Sequence, residues 1–508
     1  MPEHKSKRSS YHAIHHHVFW PSLAVIILFI VVTLLNHKRT GAFFSDIQTM
    51  ISVNTGWLMI LVVNILLIFC LYLAFGKYAN IRLGGPRAKP EFSTSAWFAM
   101  LFSAGMGIGL LFWSVAEPIS HYANPPTGTG MTPAAAQTAM NVTFLHWGLH
   151  AWGIYALVGL ALAYFTFNRK LPLTISSLFH PILGKHVNGP IGHIIDTLAV
   201  IATLFGLATS LGLGARQINA GLHFLLETEI STNVQIFIIA GTTLVATASV
   251  VLGLKNGVRR LSELNMYLAA AFLAAMLLFG PTLFIIDSFV QNTGSYIQQL
   301  PRLSFWAEAY KQTSWQNDWT IFYWGWWIAW SPFVGMFIAR ISKGRTIRQF
   351  VLGVLLVPTL LTFIWLSTFG GAALHLQITG MADIVGAVND NVATALFKLL
   401  AHYPYAFISS TIGLVLICSF FVTSSDSGSL VIDSITSGGR LDAPVGQRIF
   451  WALTEGVVAA ILLIGGGLQA LQTASITTGL PFAVVLLVVC YCLYKELNKH
   501  ESPKKQQP

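Results

Sequence analysis

Charge is nearly missing from this chain: Asp, Glu, Lys and Arg make up 9% of its 508 residues, while 54% are hydrophobic. That balance excludes a water-soluble protein and leaves no stretch that reads as a separate soluble domain. Acidic residues are scarcest, 19 in all. Within the apolar stretches the clearest charges are Arg216 and Asp426. A membrane enzyme acting on lipids or sugars would call for His, Asp and Glu clustered at a membrane face, so the sequence argues against an enzyme. No glycine-rich loop ends in Gly-Lys-Ser/Thr, which argues against a nucleotide-driven pump. Rings of charge and repeated filter loops, the marks of a channel, are also missing. The four cysteines, Cys70, Cys418, Cys490 and Cys492, all lie in apolar stretches and read as small buried hydrophobes. They form neither a disulfide framework nor a metal motif. The run His15-His16-His17 sits at the membrane surface and is given no function. Residues 1–17 are polar and carry no small-residue cleavage site before a short apolar core, so no cleaved signal peptide is read there.

What is present is apolar length. Runs of roughly 18 or more residues, each long enough to cross a bilayer, recur along the whole chain. Twelve are expected: 18–36, 57–76, 96–116, 142–165, 192–224, 235–253, 265–290, 319–340, 347–374, 404–435, 447–468 and 474–494. The chain therefore divides into a short N-terminal segment (1–17), a twelve-helix membrane domain (18–494) and a short tail (495–508), disordered beyond its first turn or two. The net charge of +10 suggests nucleic acid until its placement is read. Of the 29 basic residues, only Lys38, Arg39, Arg302, Lys311 and Lys398 fall on one side of the membrane, and Arg216 lies inside a span. The others precede the first span or follow the even-numbered ones. The positive-inside rule then puts both termini in the cytoplasm, and no nucleic-acid partner is expected.

Two aromatic clusters lie deep inside spans: Trp147-Gly-Leu-His-Ala-Trp152-Gly-Ile-Tyr155 and Trp324-Gly-Trp326-Trp327-Ile-Ala-Trp330. Tryptophan in membrane proteins usually sits at the headgroup interface, where its N–H stays wet. Several ring faces together form a cage for a quaternary ammonium group, which is charged but has no N–H to donate. Two spans are also interrupted. The third carries Gly105-Met-Gly-Ile-Gly109, with glycine at every second position. The eighth carries Trp324-Gly325 and then Ser331-Pro332. Backbone freed at mid-membrane depth is tolerated where it lines a cavity or packs on protein. The two interrupted spans are five apart, each opening a five-span block (3–7 and 8–12). This is the pattern of an inverted repeat with its substrate at the midplane. The tenth span carries Phe420-Phe-Val-Thr423-Ser424-Ser-Asp426-Ser-Gly428. Its hydroxyls, with carbonyls freed at Ser103 and Met106, are the oxygen ligands a hard cation such as sodium prefers. Arg216 and Asp426 are available to pair with each other.

These motifs, with Gly344-Arg-Thr-Ile-Arg-Gln-Phe350, resemble the betaine/choline/carnitine transporters over residues 21–495, and Ser114-Val-Ala-Glu117-Pro118 and Gly344–Phe350 look like the choline-type members. The resemblance implies an all-α polytopic membrane protein of twelve transmembrane helices with leucine-transporter-like inverted five-helix repeats. It implies a homotrimer in a bacterial inner membrane, in contact with lipid. Such a protein imports small quaternary ammonium solutes, glycine betaine first and choline as the alternative, with sodium as coupling ion and no other cofactor. Residue by residue, it implies a central cage of Trp147, Trp152, Tyr155 and Trp327. Trp326, Trp330 and Phe337 form a second aromatic stretch on the exit path, and the backbone of Gly105, Gly107 and Gly109 faces the carboxylate end of the substrate. Ser103, Met106, Phe420, Thr423 and Ser424 make a sodium site, and Thr203 with Phe333 part of a second. Leu207 stands where some sodium-coupled betaine members carry a hydroxyl. Gly109 stands where proton-coupled choline members carry an aspartate. The short tail implies weak osmotic regulation or none.

Overall fold

The computed structural model describes residues 14–501, apart from 36, 106, 252–254, 312 and 441–443. The chain is helical almost throughout. Its helices are α1 (His16–Leu35), α2 (His37–Phe75), α3 (Thr94–Gly105), α4 (Ile108–Ala123), α5 (Pro133–Trp147), α6 (Leu149–Phe167), the single turn α7 (His180–Leu183), α8 (Pro190–Leu226) and α9 (Thr232–Val251). They continue with α10 (Lys255–Phe279), α11 (Thr282–Ser304), α12 (Phe322–Ile341), α13 (Ile347–Ile378), α14 (Ile384–Asp390), α15 (Ala395–Leu400), α16 (Ala406–Thr436) and α17 (Val445–Glu501). Among the described residues, ten helical segments are long and apolar enough to cross a membrane. The chain is an all-α polytopic membrane protein.

The difference between ten segments and the twelve expected spans has two local causes. The expected third span is split into α3 and α4, each too short to cross alone, with Gly107 extended between them (φ −167°, ψ −178°). The expected eleventh and twelfth spans run on as α17, which bends at Gly466 and Gly467. Gly467 has φ +60° and ψ −133°, a conformation that essentially only glycine adopts. The expected seventh span, 265–290, is also redrawn. Helix α10 stops at Phe279, and α11 starts afresh after Gly280-Pro281. Proline has no N–H to continue the ladder and disfavours helical geometry in the residue before it. Helix α11 is not a spanning segment. Its polar side meets α5, where Gln137 donates to Asn292 (2.7 Å) and Asn141 to Ser295 (2.9 Å).

A further break was not expected. The fourth span is two helices, α5 and α6, joined at Gly148 (φ −98°, ψ −137°). Thr132 caps α5 by accepting from the amide of Ala135 (3.1 Å), with Pro133 following it at the first helical position. At the other end, a β-carbon on Gly148 would lie 2.5 Å from the Phe144 carbonyl oxygen.

Lipid tails are as apolar as leucine, so close packing of small residues holds such helices together. Helix α6 lies along α12, and α17 against α8 and α2. Gly159 and Gly335 let the backbones of α6 and α12 meet, and Gly325 and Gly479 do the same for α12 and α17. At one end of the bundle, residues 79–83 and 342–348 pair through backbone bonds: Leu83 N–H to Arg345 O (2.9 Å), Gly344 N–H to Leu83 O (2.9 Å) and Ile347 N–H to Ile81 O (2.9 Å). Arg345 adds bonds to Phe92 O (2.8 Å) and Thr94 Oγ1 (3.0 Å), and its guanidinium lies 4.8 Å over the Trp97 ring. This latch joins the start of α3 to the end of α12. At the far end of α17, Glu496 pairs with Arg169 (2.9 Å) and Asn498 accepts from Tyr78 (2.5 Å). Arg216 and Asp426 form no ion pair with each other. Arg448 instead approaches Asp433 (3.7 Å).

A β-carbon on Gly335 would lie 2.5 Å from Val158 Cγ1. Overpacking of that kind costs about 1–3 kcal/mol. Gly335→Val should therefore lower the thermal unfolding midpoint of the detergent-solubilised protein. Gly241→Ala, where the added carbon meets nothing within 4 Å, should not lower it.

Candidate functional site

The break between α3 and α4, helices α5 and α6 and the first turns of α12 enclose a cavity. It is lined by Gly107, Gly109, Trp147, Trp152, Tyr155, Trp326, Trp327 and Trp330, with Ser210 and Thr362 at its edge. The rings meet at steep angles. Trp147 and Trp327 are 4.9 Å apart at 71°, Trp152 and Tyr155 5.5 Å apart at 78°, and Tyr155 and Trp327 6.3 Å apart at 75°. Trp326 stacks on Trp327 at 4.7 Å. Ring faces turned at right angles around one space suit a rounded cation with no hydrogen to donate. Gly109 makes room for them: a β-carbon there would lie 2.5 Å from Cη2 of Trp326 and 3.3 Å from Cη2 of Trp147. Gly107, by contrast, faces open space.

Two of the rings, Trp147 and Trp327, are held from behind by polar groups that need partners in this dry interior. The break at Gly148 ends α5 at Trp147, so the last carbonyls of α5 have no helical partner. His146 O accepts from Trp327 Nε1 (2.8 Å), and Trp147 O accepts from Thr362 Oγ1 (3.2 Å). Trp147 Nε1 donates to Glu117 Oε2 (2.7 Å), which also accepts from the Tyr323 hydroxyl (2.5 Å). Glu117 Oε1 faces His146 Nδ1 (2.6 Å) and His121 Nε2 (3.3 Å), and His146 Nε2 meets Thr320 Oγ1 (3.0 Å). Glu117, His121 and His146 bring ligand atoms close enough for a metal ion. The 2.6 Å contact, however, is a hydrogen bond. Two ligands about 2.0–2.2 Å from one tetrahedral ion stand further apart than that. Next to this network, His150 pairs with Asn64 (3.1 Å) and lies 5.5 Å from the Trp324 ring. Three lining groups remain without a hydrogen-bond partner although buried: Tyr155 Oη, Trp326 Nε1 and Trp330 Nε1.

Comparison with known proteins settles the lineage of this chain. The profile described as "BCCT, betaine/carnitine/choline family transporter" matches residues 17–502. The chain belongs to the betaine/carnitine/choline transporter family. It is a membrane transporter, not an enzyme. It is 45% identical to the glycine betaine transporter OpuD of Bacillus subtilis, over 96% of each chain. It is also 45% identical to a glycine betaine/proline/choline transporter of Vibrio parahaemolyticus, over 95% of this chain and 90% of that one. To the glycine betaine transporter of Acinetobacter baylyi it is 44% identical, over 99% of this chain and 76% of that one.

In this transporter a second cavity lies beyond Trp330, which lines both. Ser103, Phe333, Phe337, Phe420, Thr423 and Ser424 line it, with Ser262, Asn265 and Ser427. The structure thus brings Ser103 of α3 and the hydroxyls of α16 to one space. Thr423 spends its proton on the carbonyls of Ser419 (3.0 Å) and Phe420 (3.3 Å), which leaves its oxygen free to accept. Trp326 and Trp330, read from the resemblance as a separate exit stretch with Phe337, line the first cavity, while Phe337 lines the second. Thr203 is buried on α8, bonds back to Ala199 O (2.7 Å) and lines neither cavity, whereas Phe333 lines the second. Gly105 closes α3, and Met106 lies outside the described residues.

Glu117, His146 and Tyr323 are the site residues that motif reading passed over. Their signal was present. A glutamate inside an apolar helix and two histidines flanking Trp147 (His146, His150) are costly residues that demand partners.

Trp327→Leu removes a ring face and leaves His146 O without its donor. Cation–π contacts are worth about 0.5–2 kcal/mol, more when desolvated, so the KM for a quaternary ammonium substrate should rise about tenfold or more. Trp152→Leu should raise KM in the same direction. Uptake kinetics at matched surface expression check both.

Proposed function

We propose that this transporter imports glycine betaine together with sodium, by alternating access between the two sides of the membrane. The observation that carries the reading is the composition of the first cavity: cation-binding ring faces together with unpaired donors. The trimethylammonium head occupies the faces of Trp147, Trp152, Tyr155 and Trp327. The low dielectric of the buried site strengthens that attraction. Indole N–H groups only donate, so Trp326 Nε1 and Trp330 Nε1 call for an acceptor. A betaine carboxylate supplies one with a full charge, and the backbone between α3 and α4 offers further donors. Choline, the second reading, brings a single hydroxyl. The glycine betaine specificity in the names of several relatives supports the same order.

Sodium is assigned to the second cavity. The hydroxyls of Ser103, Thr423 and Ser424 form the hard oxygen set this ion takes. Bound there, the ion supplies positive charge that ties α3 to α16. Trp330, shared by both cavities, is the wall through which ion and substrate influence each other. Helix α12 runs unbroken through Gly325 and Pro332, where the sequence suggested an interruption, and its irregularity is instead the π-helical turn Asn317–Ile321 before it; in this reading that turn and the break between α3 and α4 open the two inverted five-helix repeats of a twelve-span fold. Both termini lie in the cytoplasm, a reading the distribution of Lys and Arg supports, and the membrane is a bacterial inner membrane. The functional unit is a homotrimer.

Uptake of labelled glycine betaine and choline into transport-deficient cells, with and without a sodium gradient, tests the reading. Betaine uptake should exceed choline uptake and should depend on sodium. Thr423→Ala combined with Ser424→Ala should abolish the sodium stimulation while the protein still reaches the membrane. Sodium-indifferent uptake by the wild type would overturn the coupling assignment.

Gly109→Asp places a carboxylate against Trp326 and beside the substrate. The ratio of betaine to choline uptake should fall in this variant, and it should acquire a pH dependence across the carboxylate range. An unchanged ratio at every pH would show that residue 109 does not face the substrate.

A further inference from the structure

Glu117 lines neither cavity, yet it is a buried charge with four hydrogen-bond partners. Both oxygens are fully engaged: Oε2 by the Trp147 indole N–H (2.7 Å) and the Tyr323 hydroxyl (2.5 Å), Oε1 by His146 (2.6 Å) and His121 (3.3 Å). An ionised carboxylate accepts about four hydrogen bonds and donates none, and four partners are what it has here. The two rings are neutral in the arrangement that satisfies every partner. His146 donates from Nδ1 to Glu117 and accepts at Nε2 from Thr320. His121 Nδ1 is buried with no partner, which suits a bare lone pair and not the second N–H of an imidazolium. In that arrangement the carboxylate carries the one charge of the network, buried at 0% exposure.

The position of that charge gives it a use. Trp147 spans the distance between Glu117 and the first cavity. Its pyrrole edge donates to the carboxylate, and its benzo edge, at Cη2, faces Gly109 on the cavity wall. Tyr323, the other donor to Oε2, lies 5.7 Å from both Trp147 and Trp327. A hydrogen bond to an anion polarises its donor, and electron density pushed into the ring deepens the negative potential of its face.

We infer that Glu117 is an affinity-determining positioning residue. Through Trp147 and Tyr323 it both aims the cage rings and makes their faces more negative, so that the cage selects a positive charge and not merely a trimethyl shape. The inference rests on the reading of the first cavity as a quaternary ammonium site.

The test compares two ligands of the same shape: glycine betaine, and 3,3-dimethylbutanoate, in which carbon replaces the charged nitrogen. Their dissociation constants are measured by tryptophan fluorescence on the purified full-length protein. Wild type should prefer betaine, and Glu117→Gln should lower the preference ratio about tenfold, the order expected for a charge acting over several ångströms in a medium of intermediate dielectric. A merely structural role would weaken both ligands equally and leave the ratio unchanged, and that result would overturn the inference. Tyr323→Phe, which keeps the ring and removes one polarised donor, carries the same test should Glu117→Gln not be recovered from membranes. Its ratio should fall about threefold, and an unchanged ratio there is equally fatal. A wild type that binds neither ligand in preference would take down the site reading itself. A wild-type preference retained in the variants takes down the role of Glu117 alone.

Discussion

A polar group inside a bilayer has no water to fall back on, and the rest of this molecule is arranged around that constraint. A buried indole N–H gains from an acceptor, and within a helix each carbonyl already takes one ladder bond. Breaking the helix frees carbonyls. The interruption at Gly148 releases His146 O to hold Trp327 and Trp147 O to receive Thr362, while Glu117 takes the N–H of Trp147 itself. The faces of Trp147 and Trp327 are thereby held in place without a ligand. Pre-organisation of this kind spares the binding step the entropy of ordering several large side chains.

Much of this was legible because expensive residues stand out in an apolar chain. Seven aromatics in two mid-span clusters have no reason to be there unless they face something, and Trp147, Trp152, Tyr155 and Trp327 do line one cavity. The alternating glycines marked the gap between α3 and α4. The break at Gly148 was not legible, because a single glycine next to tryptophan is compatible with an unbroken helix and its effect depends on what packs against it. The Gly280-Pro281 stop could be read from proline chemistry but was masked by continuous hydrophobicity on both sides. Bonds that link residues far apart in sequence, such as Glu117 to Tyr323, leave no periodic trace at all.

The two cavities differ in character as sharply as two adjoining spaces can. One is walled by aromatic faces with unspent N–H donors; the other collects hydroxyls from α3 and α16 beneath Phe333 and Phe337. Trp330 belongs to both, and its own N–H is unspent. Small residues make this adjacency possible. Gly206 leaves so little room beside Trp330 that a β-carbon there would lie 2.8 Å from its Cδ1, so α8 and α12 approach each other at the level of the shared wall.

The latch formed by residues 79–83 and 342–348 sits well away from the rings, yet it constrains how they can move. It clamps the beginning of α3 and the end of α12 into one block, with Arg345 bridging to Phe92 and Thr94. Bending between these two segments cannot be absorbed at the clamped end. It falls on the weak links that remain, the extended backbone at Gly107 and the loosened turn at Asn317–Ile321, which flank the aromatic cavity. A tether at one edge of the membrane thus concentrates compliance at its centre.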